Sequence, residues 1–201
     1  PASSGLTRLP RSHGPSGLRA RLEGAMAKRR LRGWNPPLEN INALVASGGP
    51  RLLARSRELV VTNGYAANAC EAWAANLVGD GIKPSSLLED GDLRDKVQRL
   101  WLAWTDEADA DGLTDFYGLQ AMVAREMFVA GECFVRLRPR RAEDGLTVPL
   151  QLQLLQSEML PFEKTETAAN GNRIRCGIEF DRVGRRVAYH FRRRHPGDCR
   201  A

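Results

Sequence analysis

The chain has 201 residues, 42% of them hydrophobic, and a formal net charge of +6. That is material for a real core in one or two domains, and no apolar run approaches the roughly 20 residues that span a bilayer. Cys70, Cys133, Cys176 and Cys199 lie far apart, which excludes a disulfide scaffold and points to a reducing compartment.

Charge is unevenly spread: residues 1–63 carry +8, residues 64–131 carry −7 and residues 132–201 carry +5. Such a chain can meet a copy of itself with opposite charges facing, or a polyanion at its ends. On composition alone, solvated surface charge is the simpler account.

Residues 1–34 read as a basic, partly disordered N-terminal arm. Its start is rich in Pro, Ser, Gly and Arg and lacks the apolar centre of a secretory signal. Lys28, Arg29, Arg30 and Arg32 follow a weakly helical stretch. They suit DNA or RNA phosphates and suit a solvated helix end equally well. Trp34, before the pair Pro36-Pro37, reads as an anchor that packs within the fold or onto a neighbour.

Residues 35–131 read as a helical region. Pro50–Thr62 is expected as a helix with Pro50 in its first turn, Leu52, Leu59 and Val60 inward, and Arg51, Arg55 and Arg57 outward. Asn63-Gly64 breaks it. Tyr65–Val78 follows, with Tyr65, Ala69, Trp73 and Leu77 on one face, and Gly79-Asp80-Gly81 as its stop. Leu93, Val97, Leu100, Trp101 and Trp104 form the stripe of a third helix. Asp106–Asp111 and Gly112 interrupt the pattern. Thr114 starts a fourth helix with Asp115 in its first turn, striped by Phe116, Leu119, Val123, Met127 and Ala130, and Gly131 ends it.

Residues 132–201 read as antiparallel β-structure. Glu132–Arg138 is a strand; Leu150, Leu152 and Leu154 alternate with Gln151 and Gln153. Residues 157–172 read as a polar loop. Ile174, Cys176, Ile178 and Phe180 alternate as one strand, turn at Asp181–Gly184, and return through Val187, Tyr189 and Phe191. The fold class is therefore α+β, a helical N-terminal half packed with an antiparallel sheet.

Reaction chemistry is hard to find. A calcium loop through Asp109 and Asp111 would need an Asp at Glu107 and a Glu at Gly118. Gly79-Asp80-Gly81 follows a helix and lacks a third glycine, and no phosphate-loop Gly-Lys-Ser/Thr occurs. His190, His195 and Cys199 have no second ligand pair for zinc. No cofactor, metal or catalytic residue is expected. Arg136, Arg138, Arg140 and Arg141 end one strand, and Arg192, Arg193 and Arg194 another. If those ends adjoin, they form a positive rim facing phosphate or a neighbour's acids; a charge-protected sheet edge is the plain alternative.

The ordered set Gly33-Trp34 with Pro36, Leu52–Val60 with Asn63 and Tyr65-Ala66, Asn76–Ile82, Trp101 and Trp104 with Thr105-Asp106, Ala108–Gly112 with Phe116-Tyr117, Gly131-Glu132 with Val135-Arg136, Pro149–Gln153, Gly177–Asp181 and His195–Asp198 resembles the N-terminal part of lambda-type phage portal proteins. The resemblance implies a non-enzymatic homo-oligomeric ring, usually a dodecamer, at one capsid vertex of the virion, assembled in the host cytoplasm. Double-stranded DNA passes through such a ring, and terminase, capsid or scaffold and head-completion proteins dock on it, with no membrane involved. Family members continue past residue 198 into stem, clip and crown. This chain is therefore expected to supply mostly the wing-like region, as a fragment or a truncated prophage product. Gly64 replaces the family's usual Asn or Pro. Candidate subunit contacts are Trp34, Asp106, Asp109, Asp111 and Asp115; candidate DNA contacts are Lys28, Arg29, Arg30, Arg32 and Arg192–Arg194. The alternative is a basic nucleic-acid-binding module acting as a monomer.

Overall fold

The computed structural model describes Arg29, Gly33, Trp34, Pro36 and residues 38–198. The chain divides into two units, Pro1–Glu39 and Asn40–Ala201. The second holds four helices and six strands: α1 Ile41–Thr62, α2 Gly64–Leu77, α3 Gly91–Glu107, α4 Phe116–Ala130, β1 Phe134–Pro139, β2 Leu150–Leu155, β3 Glu166–Thr167, β4 Arg173–Arg175, β5 Ile178–Phe180 and β6 Arg186–Tyr189. The α+β class is as expected.

α1 begins nine residues earlier than Pro50 and carries that proline inside it. Asn40 caps it by accepting the Asn42 amide at 2.9 Å, so the helix has its own start signal upstream of Gly48-Gly49-Pro50. Asn63 both ends α1 and starts α2: its amide bonds the Leu59 carbonyl and its side chain accepts the Tyr65 and Ala66 amides. One residue thus joins the two helices. The buried side of α2 is Cys70 and Ala74, while Tyr65, Trp73 and Leu77 are exposed. The small residues lie at the close contact of α2 with α1 and α4; of the expected large-residue face, Trp73 reaches Phe128 of α4 at 6.0 Å between ring centroids, and Tyr65 stands open.

α3 is capped by Asp90, and α4 by Asp115, which accepts the Gly118 amide at 2.7 Å. Gly131 stops α4 in the left-handed region at φ 80°. Trp104, Ala108 and Leu119 form the core, with Trp101, Phe116, Val148, Leu152 and Leu154 around it. Trp101, Trp104 and Phe116 lie mutually 5.1–5.2 Å apart, a spacing at which aromatic pairs attract beyond area burial. The indole of Trp104 donates to the Leu150 carbonyl at 2.7 Å. Helix and strand regions therefore share one core across residue 131.

β1 pairs only with β2; β3–β4–β5–β6 form a separate antiparallel meander. The stretch Ile174–Phe180 is not one strand. Cys176 and Gly177 take φ 49° and 79° and fold it into a two-residue hairpin in which Arg175 faces Ile178. Among the inward groups here are Ile174 and, opposite it, Glu179. The expected apolar face of Ile178 and Phe180 is only half-buried.

Candidate assembly interface

The acidic stretch 106–115 divides into separate roles. Asp109 is buried, and its carboxylate accepts the amides of Asp111 at 3.0 Å, Leu113 at 2.8 Å and Thr114 at 3.1 Å. The loop is bolted to β2 as well: Leu152 donates to the Ala108 carbonyl, and the Ala110 amide donates back to Leu152. Asp109 is consumed in shaping its own loop. Asp106, Asp111 and Asp115 are exposed.

Asp111 points to its own chain's arginines through a glutamine. Gln153 donates to Asp111 at 2.7 Å and accepts from Arg136 and from Arg138 at 3.2 Å. Gln151 accepts from Arg140 at 2.8 Å and donates to the Glu107 and Asp109 carbonyls. The outward residues of β1 and β2 are thus an arginine–glutamine ladder that meets the acidic loop.

The single positive rim does not form. Arg192–Arg194 follow β6, which does not pair with β1. Phe191 packs on Phe134 at the opposite end of β1 from Arg138 and Arg140. Arg192 is tied down by its amide to the Met159 carbonyl and by its guanidinium to Glu163; Arg193 and Arg194 are exposed. Trp34 and Arg29 are exposed, whereas Lys28, Arg30 and Arg32 lie outside the described residues.

Two charged clusters have no signature in residue spacing. Arg57, expected to point outward, is clamped between Glu126 of α4 and Glu158 after β2. It makes two contacts at 3.0 and 2.9 Å to the first, and two to the second, one of them at 2.7 Å. Both carboxylates keep Arg57 firmly protonated. Burial is the largest influence on Glu158 and pushes it up, but the Arg57 hydrogen bond, a backbone hydrogen bond and the nearby positive charge together outweigh it, and the net shift is down. Glu179 accepts from Asn170, Asn172 and His190 at 2.8–3.0 Å. These bonds, the Asn170 one foremost, hold it at about 2. Each cluster is a closed set of mutually satisfied groups. Among the described residues, no three His, Cys, Asp or Glu side chains are placed to hold a metal.

What stands open is apolar. Leu93, Val97 and Leu100 of α3 are exposed at helical spacing, as are Leu44, Val45 and Leu52 of α1. An open hollow of about 400 Å³ between α2, α4 and the β1–β2 ladder is lined by Leu77, Ile82, Val123, Met127, Val135 and Leu154 among others. A soluble monomer seldom leaves so much apolar surface in contiguous patches.

The sequence profile of the phage portal proteins of the lambda family matches residues 27–201. The chain belongs to that family. It is 29% identical to the probable portal protein of Halomonas phage phiHAP-1 over 157 residues, 73% of this chain and 30% of that protein. It is 34% identical to the portal protein of Escherichia phage N15 over 99 residues, and 36% identical to portal protein B of Escherichia phage lambda over 84 residues. Those alignments cover 46% and 38% of this chain and 18% and 16% of the two relatives. The chain thus spans less than a third of the curated relatives it matches. The family is structural and belongs to the portal vertex of the capsid. Within the described residues, no helix is long and apolar enough to cross a membrane.

Proposed function

We propose that this chain is part of a portal subunit that assembles with copies of itself into the ring at a capsid vertex through which double-stranded DNA is packaged and ejected. The family match across residues 27–201 carries the reading. The exposed apolar stripes of α1 and α3 support it, since obligate interfaces resemble a core cut in half. Its work is mechanical rather than catalytic: the ionisable clusters built from Arg57 and Glu179 are internally satisfied and present no reactive group to a substrate. Terminase, capsid or scaffold and head-completion proteins are the partners of the complete ring, which forms in the host cytoplasm and ends in the virion. Trp34, Asp106, Asp111 and Asp115, all exposed, remain the proposed subunit contacts from the sequence; Asp109 serves its own loop.

Light scattering and electron microscopy on the purified chain test this. The expected result is a mass that rises with concentration through closed or arc-shaped particles. A strict monomer that binds duplex DNA with a steep salt dependence would instead establish the nucleic-acid module.

A further inference from the structure

One surface of the β4–β6 meander carries a charge pattern that nothing within the described residues neutralises. Strand period and register place Arg173, Arg175, Ile178, Phe180 and Arg186 on the same face: Arg173 opposes Phe180, Arg175 opposes Ile178, and Phe180 opposes Arg186. With Arg182 from the turn they line a hollow of about 650 Å³. Its floor is the half-buried pair Ile178 and Phe180, and its rim is four exposed guanidiniums. None of the four takes part in an ion pair among the described residues. Asp181 is the one carboxylate on the lining, and it is engaged by the amides of Val183 and Arg185 and by the Arg185 guanidinium.

An apolar floor inside an arginine rim asks for a segment that alternates large apolar groups with carboxylates. The chain carries one such segment in the open. Residues 87–95 read Leu-Leu-Glu-Asp-Gly-Asp-Leu-Arg-Asp, with four carboxylates against one arginine. Leu87 is 94% exposed, and Leu88 and Leu93 are also open. None of these residues lines the hollow of its own chain. Duplex DNA would offer the rim its phosphates but nothing to the floor.

We infer that the arginine face of one copy receives residues 87–95 of the next copy. The contact joins two different surfaces, so it is heterologous and propagates head to tail, which is the geometry that closes into a ring. The arginines supply planar, bidentate partners for Glu89, Asp92 and Asp95, and Leu87 and Leu88 cover Ile178 and Phe180. This rests on the ring reading and names one of its contacts.

The test uses the whole chain and a fluorescent peptide of residues 85–95, read by anisotropy. The peptide should bind, weakening as salt rises. Affinity should fall roughly tenfold in the chain carrying Arg173→Glu and Arg175→Glu, and comparably for a peptide with Leu87→Ser and Leu88→Ser. A peptide with Glu89→Lys and Asp92→Lys should bind the Glu-bearing chain and not the original one. That swap guards against misfolding, because a collapsed variant gains no new partner. Equal peptide binding by original and variant chains, no peptide binding by the folded chain, or displacement of the peptide by stoichiometric 20-base-pair duplex would overturn the contact. Rings that form without peptide binding would sink this contact and leave the ring reading intact. Peptide binding by a chain that stays monomeric at every concentration would overturn the ring reading and, with it, this contact between copies.

Discussion

Arg57→Leu is the substitution that should damage the fold most for its size. The guanidinium has 27% of its side chain exposed, and Glu126 and Glu158 have 19% and 16%. Removing the cation leaves two carboxylates half-buried beside each other and abolishes four charge-assisted contacts. Breaking a fully buried pair by deleting one partner costs about 3–5 kcal/mol. Residual solvent screening at this depth lowers that to about 2–3 kcal/mol. With a urea slope of about 2 kcal/mol per M, the unfolding midpoint should drop by about 1–1.5 M at pH 7. The pH dependence has a definite sign. Glu158 is depressed in the folded state, so its contribution is fully present above its ordinary value of 4.5 and fades as pH falls through the lower folded value. The gap between Arg57→Leu and the original chain should therefore narrow below about pH 4. Adding Glu126→Leu and Glu158→Leu should restore much of the loss, because an apolar trio of similar volume carries no unpaired charge. A midpoint unchanged within 0.2 M at pH 7, or a gap that widens on acidification, would refute the argument.

The same physics sorts three further positions. Asp109→Ala removes the acceptor for three backbone amides; it should cost about 2 kcal/mol and lower the melting temperature by roughly 5 °C in a thermal scan. Reversal of Asp109 to lysine consequently reports on folding, whereas reversal of Asp111 leaves the loop intact and reports on assembly. Gly81→Ala places a Cβ 2.2 Å from Tyr117 Cδ1 at φ 111°. It should cost about 2–3 kcal/mol in urea unfolding, while Gly184→Ala, with nothing within 4 Å, should lose only its backbone share. Glu179 contributes stability above its ordinary 4.5 that is lost as pH falls toward about 2. Amide signals of β4–β6 followed by NMR should weaken across that window, and Glu179→Gln should abolish the dependence.

Local chemistry in this chain was written plainly enough to read. Gly131 after Ala130 marks the end of α4 as expected, whereas its start falls one residue later than the sequence suggests: Asp115, expected inside the first turn after Thr114, is itself the cap. Pro50 misleads because a proline suits a first helical turn, yet a helix of 22 residues tolerates losing one donor inside. The hairpin at Cys176-Gly177 hides because Ile174, Cys176, Ile178 and Phe180 alternate without a break in sequence, whereas the two-residue turn exchanges the faces and sets Ile174 opposite Glu179. Glu179 hides for the same reason, as the polar half of an apparent apolar alternation. The Arg57 clamp spans 69 and 101 residues, and no spacing rule reaches that far.

Periodicity reports that a face will be covered, not what will cover it. On α3 the stripe Leu93, Val97, Leu100, Trp101 and Trp104 is continuous in sequence, yet its two ends meet different fates. Trp104 is buried against Leu119, with Leu152 packed on the same cluster, whereas Leu93, Val97 and Leu100 face solvent. A monomer gains nothing from continuing an apolar stripe beyond its own core: Leu93, Val97 and Leu100 are 41–46% exposed, so each forgoes somewhat under half of the about 1.5–3 kcal/mol of full burial. A ring subunit gains that energy when its neighbour arrives. The unsheltered end of α3 begins inside the acidic segment 87–95, with Leu93 common to both, so one neighbour could take both, its arginine face on the carboxylates and its apolar surface on the stripe. Charge would then set the register of the contact and the leucines its strength.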